Sequence, residues 1–235
     1  GLSSHFIYKE NINALYFNSR IARYKFVLEA GLRIENTNIK GQLPGNRLQA
    51  DSSFSKSYIN LFPPVTLSYQ AGKNHTLNLS YRRRIDRPNY QDMNPFVYIF
   101  DTYTYEQGNT TLQPQFSDNL ELSYLLANNY KVAVFYNQTN DVIAKSFILS
   151  ENSKRIYVMP KNLATYKSYG VRLSAGNLSP VKYMQSTASI GLTHNQYEWS
   201  LIQDANKTAQ TTLMFHVGNR FLLGKGWLAE LTGYY

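Results

Sequence analysis

Apolar and polar residues alternate with a period of two through about ten segments of this chain, and the connections between those segments alternate short and long. A period of two belongs to a β-strand, whose successive side chains point to opposite faces. In the clearest segment Tyr24, Phe26, Leu28, Ala30, Leu32 and Ile34 share one face, and Lys25, Val27, Glu29, Gly31, Arg33 and Glu35 share the other. The pattern recurs over Ile59–Tyr69, Leu77–Arg82, Asn119–Tyr124, Tyr169–Ser174 and Thr212–Val217, and more weakly over Tyr8–Asn18, Tyr130–Gln138, Tyr183–Asn195 and Trp227–Tyr235. Helical periodicity is almost absent, and no apolar run approaches the ~20 residues that a transmembrane helix needs.

A soluble β-sandwich also has one greasy and one wet face. The connections separate the cases. Short turns are expected at Ser19–Arg23, Ala71–Asn74, Ala127–Asn129, Asn177–Pro180 and Leu223–Gly226, and long loops at Asn36–Lys56, Asp86–Gln115, Asn140–Thr165 and Gln196–Thr208. Strict alternation puts every long loop at one end, as in outer-membrane barrels with tight periplasmic turns and long extracellular loops. A Greek-key sandwich has no reason to do so. The wet face carries Lys25, Glu29, Arg33, Arg82, Arg84, Glu121 and Arg172, so the interior is polar. A narrow barrel would fill its centre with side chains, so a polar interior implies a wide barrel holding water or a plug. The expected fold is all-β, an antiparallel up-and-down transmembrane barrel wall. A first strand followed by a short turn runs inward, and ten strands bring the last one back out. That parity, a start without a signal peptide and an end in mid-pattern make residues 1–235 an expected partial barrel domain.

Composition removes other chemistry. The 235 residues include no cysteine, so disulfides, thiolate metal sites and cysteine nucleophiles are excluded. The charge is +9, but the basic residues are spread out apart from Arg82, Arg83, Arg84 and Arg87, and no nucleic-acid motif accompanies them. The four histidines, His5, His75, His194 and His216, lack partners at metal-ligand spacing. His194 with Ser200 has neither a third triad member nor a Gly-x-Ser-x-Gly turn. No enzyme, metal site or cofactor is expected. The 20 tyrosines suit strands and membrane interfaces alike.

Two stretches resemble a known family. One runs from Asn60-Leu61-Phe62-Pro63-Pro64 through Leu77-Asn78-Leu79-Ser80-Tyr81-Arg82-Arg83-Arg84-Ile85-Asp86-Arg87-Pro88-Asn89-Tyr90-Gln91-Asp92-Met93-Asn94-Pro95-Phe96. The other is Gly108-Asn109-Thr110-Thr111-Leu112-Gln113-Pro114-Gln115-Phe116-Ser117-Asp118-Asn119-Leu120-Glu121-Leu122. Together they resemble TonB-dependent outer-membrane receptors of the barrel type found in Bacteroidota, with departures at Thr110 and Gln115, where that family usually has Pro and Glu. The resemblance implies a barrel of roughly 22 strands, of which this chain is under half. It also implies that a complete barrel begins and ends in the periplasm, that a plug and N-terminal domains are expected outside residues 1–235, that the plug contacts TonB, and that the protein imports an unknown nutrient. Expected surroundings are outer-membrane lipid and lipopolysaccharide, the plug and the remainder of the barrel.

Pro88, Pro95 and Pro114 stiffen the long loop between Asp86 and Gln115. Its aromatics Tyr98, Phe100, Tyr103 and Tyr105 are candidate ligand contacts, or pack the loop on itself. Arg84 is a further candidate contact. The run Arg82–Arg84 is expected to form a cluster of ion pairs near the loop, in preference to meeting lipopolysaccharide phosphate or an anionic substrate. Asp118 and Glu121 are expected to pair with arginines of neighbouring strands. Two alternatives remain open from the residues: a small complete barrel with a structural or adhesive role, and a soluble β-sandwich binding module. Detergent dependence separates the second; full gene length separates the first.

Overall fold

The computed structural model describes residues 5–45, 50–150, 155–201 and 204–235. They form one sheet, antiparallel except where β7 joins β10, with strands β1 (Ile7–Arg23), β2 (Phe26–Leu43), β3 (Ser52–Phe62), β4 (Val65–Gly72), β5 (His75–Asp86), β6 (Val97–Ile99), β7 (Thr104–Gln107), β8 (Gln115–Leu126), β9 (Tyr130–Ser150), β10 (Arg155–Val181), β11 (Met184–Leu201), β12 (Asp204–Gly224) and β13 (Trp227–Tyr234). β3 and β4 are one span. Phe62 pairs with Arg33 and Val65 with Ala30 in one unbroken register along β2, and the Gly31 N–H donates to the Pro64 carbonyl at 2.8 Å between them. Each neighbour along the wall is its neighbour in sequence, so ten spans run up and down as the periodicity predicts.

Register turns the alternation into a surface. Ile21, Leu28, Leu67, Leu79, Leu122, Val134, Val171, Leu192 and Leu213 stand side by side across successive spans. Each is at least 36% exposed. A continuous apolar row of this length left uncovered marks a surface made for an apolar partner. Among the described residues no second sheet covers it, so the sandwich alternative fails. The opposite face pairs polar groups instead: Ser68 Oγ donates to Asn78 Oδ1 at 2.7 Å, Lys131 Nζ meets Glu121 at 2.7 Å, and Tyr166 donates its hydroxyl proton to Asn195 at 2.7 Å.

The margin between this row and the short turns shows how the spans lie. It is three residues at Leu28, counted to Lys25, and twelve at Leu213, counted to Lys225. Over the seven strand steps between, the row climbs by about one residue per step; at ~3.4 Å per residue and ~4.8 Å between strands that is a tilt of roughly 35–45° when the turns are level. This is the inclination of strands in a closed barrel. The apolar stretch shifts with it, lying at Leu15–Ile21 on β1 and at Leu213–Leu223 on β12.

Several boundaries differ from those read in the sequence. The first short turn is Tyr24-Lys25, not Ser19–Arg23, and the fourth is Lys182-Tyr183, not Asn177–Pro180. Tyr24 turns the chain at φ 54° without a Gly or Asn to announce it, whereas Asn177, at φ 53°, makes a bulge inside β10. Three of the four long loops are mostly strand. β2–β3, β9–β10 and β11–β12 continue as paired ribbons far past the apolar stretch. Above the lipid both faces meet water, so the alternation that reveals a strand disappears there while the backbone pairing continues. Only residues 87–114 form a true long loop, carrying the short hairpin β6–β7. Among the described residues, β1 and β13 have no strand on their outer edges.

Candidate functional site

Residues 87–114 act as a bracket between two tall hairpins. On one side the loop reaches the wet face of β2–β3. Arg87 Nη2 lies 2.5 Å from Glu35 Oε2 and 3.2 Å from Thr37 Oγ1, and its Nε is 3.6 Å from Glu10. Lys56 donates to the Leu112 carbonyl, and Met93 and Leu112 are fully buried beneath the loop. On the other side β7 runs parallel to β10, pairing Thr104–Glu106 with Ile156–Val158, where β11 does not reach. The link is tied by Lys145–Glu106 at 2.6 Å, by Asn109 Nδ2 donating to the Pro160 carbonyl at 3.0 Å, and by Asn162 exchanging two bonds with the Gln113 backbone at 2.9 Å. Gly108 is required within the loop: a Cβ there would lie 2.4 Å from the Asn94 carbonyl oxygen and 2.7 Å from that of Asp92. Burial holds the Lys56 ammonium below its usual range, and raises the Asp92 carboxyl above its own.

At the foot of the bracket, where Arg87 follows β5, lies a cleft of about 430 Å³ lined by Arg33, Arg82, Arg83, Arg84 and Arg87 together with Tyr16, Glu35 and Phe62. Its origin is the double proline. β4 pairs with β5 as far as Val65–Tyr81; Pro63 and Pro64 then offer no N–H, and β5 continues from Arg82 without a strand on that edge. The sheet opens, and the arginine run lies along the opening. Among the described residues Glu35 is the only carboxylate lining the cleft, 1% exposed, and it is engaged by both Arg33 and Arg87. Arg33 also sits 5.0 Å over the Tyr16 ring. Arg83 turns to the apolar face, 4.0 Å from Asp118 and 5.0 Å over Phe116. Arg82 and Arg84 have no acidic partner among the described residues. The Nε atom of Arg33 and the Asn60 amide nitrogen are buried with no hydrogen-bond partner among the described residues, and Arg87 Nε has only its 3.6 Å contact with Glu10. Buried polar groups are normally satisfied, so these unsatisfied donors beside unpaired guanidinium groups suit oxyanions, which accept in the fork geometry arginine offers.

The five candidate contact residues do not form one site. Tyr98 and Phe100 line a second cavity of about 450 Å³ with Asn94, Glu106 and Lys145. Tyr105 lies on the other face of the hairpin, stacked on Tyr157 at 5.4 Å with Arg155 over its ring at 5.0 Å, so it packs the bracket. Tyr103 is exposed at the turn, and Arg84 belongs to the arginine cleft. Asp118 pairs with an arginine as expected, but the partner of Glu121 is Lys131. Sequence reading missed the role of Glu35, Tyr58 and Asn60; the one available signal was a carboxylate closing the wet face of the clearest strand. His194 Nδ1 and the Thr211 hydroxyl form a hydrogen bond at 2.8 Å, and among the described residues no three potential metal ligands converge.

Three comparisons place this wall. A search of characterised proteins finds no significant sequence match. Solved structures match the fold. A ferric enterobactin receptor mutant (PfeA) from Pseudomonas aeruginosa superposes with a TM-score of 0.54 at 12% identity, covering 97% of this chain and 48% of that one. The siderophore receptor PiuA from Acinetobacter baumannii gives 0.53 at 9%, covering 97% and 39%, and the FrpB iron transporter from Neisseria meningitidis gives 0.52 at 10%, covering 95% and 39%. The chain thus spans half or less of the length of these structures. Family and structural neighbours alike are barrels and receptors rather than enzymes. The sequence profile described as "Outer membrane protein beta-barrel family" matches residues 1–235, so the chain belongs to that family, and its place is the bacterial outer membrane.

Proposed function

We propose that the chain is one section of the wall of a wide TonB-dependent importer, and that the arginine cleft meets an anionic nutrient ligand on its inner face. The observation that carries this reading is the pair Arg82 and Arg84, free of acidic partners on the polar face of a tilted transmembrane wall. The remainder of the barrel would pair with the outer edges of β1 and β13, whose backbone groups otherwise have no partner in lipid. A plug would occupy the lumen and carry the contact to TonB. In a strain supplied with its sole nutrient source through the full-length protein, loss of TonB should abolish uptake, and Arg82→Gln with Arg84→Gln should lower it about tenfold. Uptake that persists without TonB sinks the importer reading.

Two further outcomes are expected. Cysteine at Thr102, on the bracket, should react with an impermeant maleimide on intact cells; labelling only after lysis reverses the topology. The isolated chain, with two long unpaired edges, should aggregate or assemble edge to edge. A uniform monomeric conductance in planar bilayers would favour a small self-contained barrel instead.

A further inference from the structure

The short-turn end of the wall is a cationic rim. Four of its five turns carry a lysine: Lys25, Lys73, Lys182 and Lys225. Arg23 adds a fifth cation, its guanidinium 5.5 Å over the Tyr24 ring. No turn carries a carboxylate. The nearest acids are already engaged, Glu29 by Arg20 at 3.3 Å, Glu121 by Lys131 at 2.7 Å and Glu230 by Arg220 at 2.7 Å. The four lysines are exposed and have no ion-pair partner among the described residues.

Turn chemistry does not call for lysine here. Lys225 sits at φ 50°, where Gly, Asn or Asp turns the chain more easily. The cations also stand beside amphipathic rings: Tyr24 next to Lys25, Tyr183 next to Lys182, and Trp227 just after Lys225, exposed by 94%, 57% and 73%. Aromatic rings of this kind collect at the edge of the hydrocarbon, and lysines reach outward from it to the headgroups. Consecutive short turns are two strand spacings apart, roughly 10 Å, so the rim offers a cation at four of its five turns along the membrane surface, with a gap at Ala127–Asn129.

We propose that this rim binds the phosphates of anionic phospholipids in the leaflet that faces the short turns, taken here as the inner leaflet of the outer membrane. The lysine–aromatic pairs hold the barrel at a fixed depth, with the ring in the interface and the ammonium on the phosphate. A protein ligand for the rim would have to displace headgroups from side chains that border the apolar surface directly.

The test uses the full-length protein in mild detergent, titrated with short-chain phosphatidylglycerol, phosphatidylcholine and lipid A, and read by native mass spectrometry. Phosphatidylglycerol should bind about tenfold more tightly than phosphatidylcholine, with a preference that falls as salt rises. The quadruple variant K25Q/K73Q/K182Q/K225Q should lose that preference while keeping the wild-type unfolding temperature in phosphatidylcholine, because these side chains hold nothing in the fold. Equal affinity for the two phospholipids overturns the proposal, as does a preference that survives the quadruple change. A lysine-dependent preference for lipid A over phosphatidylglycerol overturns it too, by placing the rim in the other leaflet. Lysine-dependent binding of carboxylated cell-wall fragments without phospholipid preference would assign the rim to the cell wall instead.

Discussion

Replacing Leu79 by Arg in the full-length barrel is expected to cost roughly 2–4 kcal/mol, measured by denaturant unfolding in liposomes, whereas Asn78→Arg should cost far less. Leu79 lies in the apolar row between Leu67 and Leu122, 44% exposed, and five residues from the turn at Asn74, close to the middle of a span of ~9–11 residues. Arginine there would hold its charge in hydrocarbon or drag water toward it. Asn78 stands on the opposite face, where it accepts a hydrogen bond from Ser68 and where Lys131 and Glu121 already form an ion pair. A guanidinium added there keeps access to water. Equal costs at the two positions would mean that the apolar row does not face lipid.

Removing the Glu35 carboxylate is the second large change. Glu35→Ala leaves Arg33 and Arg87 without their shared counter-charge in a cleft that also holds Arg82 and Arg84. Breaking a fully buried ion pair from one side costs about 3–5 kcal/mol; with Arg33 42% and Arg87 20% exposed, solvent screening makes the cost here smaller. That cost is felt locally, because the wall is held by its ladders and the pair holds only the bracket. The expected result is a full-length protein whose overall unfolding changes little while residues 87–114 become open to limited proteolysis on intact cells. Glu35→Gln should give an intermediate effect, since the amide oxygen still accepts from Arg87 but carries no charge. Unchanged protease resistance in Glu35→Ala would show that the β7–β10 pairing and the Lys145–Glu106 bridge suffice to hold the bracket.

Much of the wall was legible because lipid imposes a rule on every second residue. All ten spans were found, and the lipid-facing set from Leu28 to Leu213 matches the apolar face of the alternation. The turns at Tyr24-Lys25 and Lys182-Tyr183 escaped because neither carries the Gly or Asn that marks a tight turn, while Asn177 carried that mark and made a bulge. The ribbons β2–β3, β9–β10 and β11–β12 were read as loops because water on both faces erases the period of two.

The sequence by itself determined which face of each strand meets lipid, that the strands are antiparallel neighbours in chain order, and that the interior is polar. Each of these depends on residues a few positions apart, and local sequence carries them. Only the tertiary structure decided the tilt, the opening at Pro63-Pro64 and the cleft at the foot of the bracket. Arg87 meets Glu35 across 52 positions of chain, and Asn162 meets Gln113 across 49. Those meetings depend on strand register and on the height to which each hairpin continues above the membrane. Both are set by backbone pairing, in which every residue except proline takes part alike, so no side-chain pattern records them in advance.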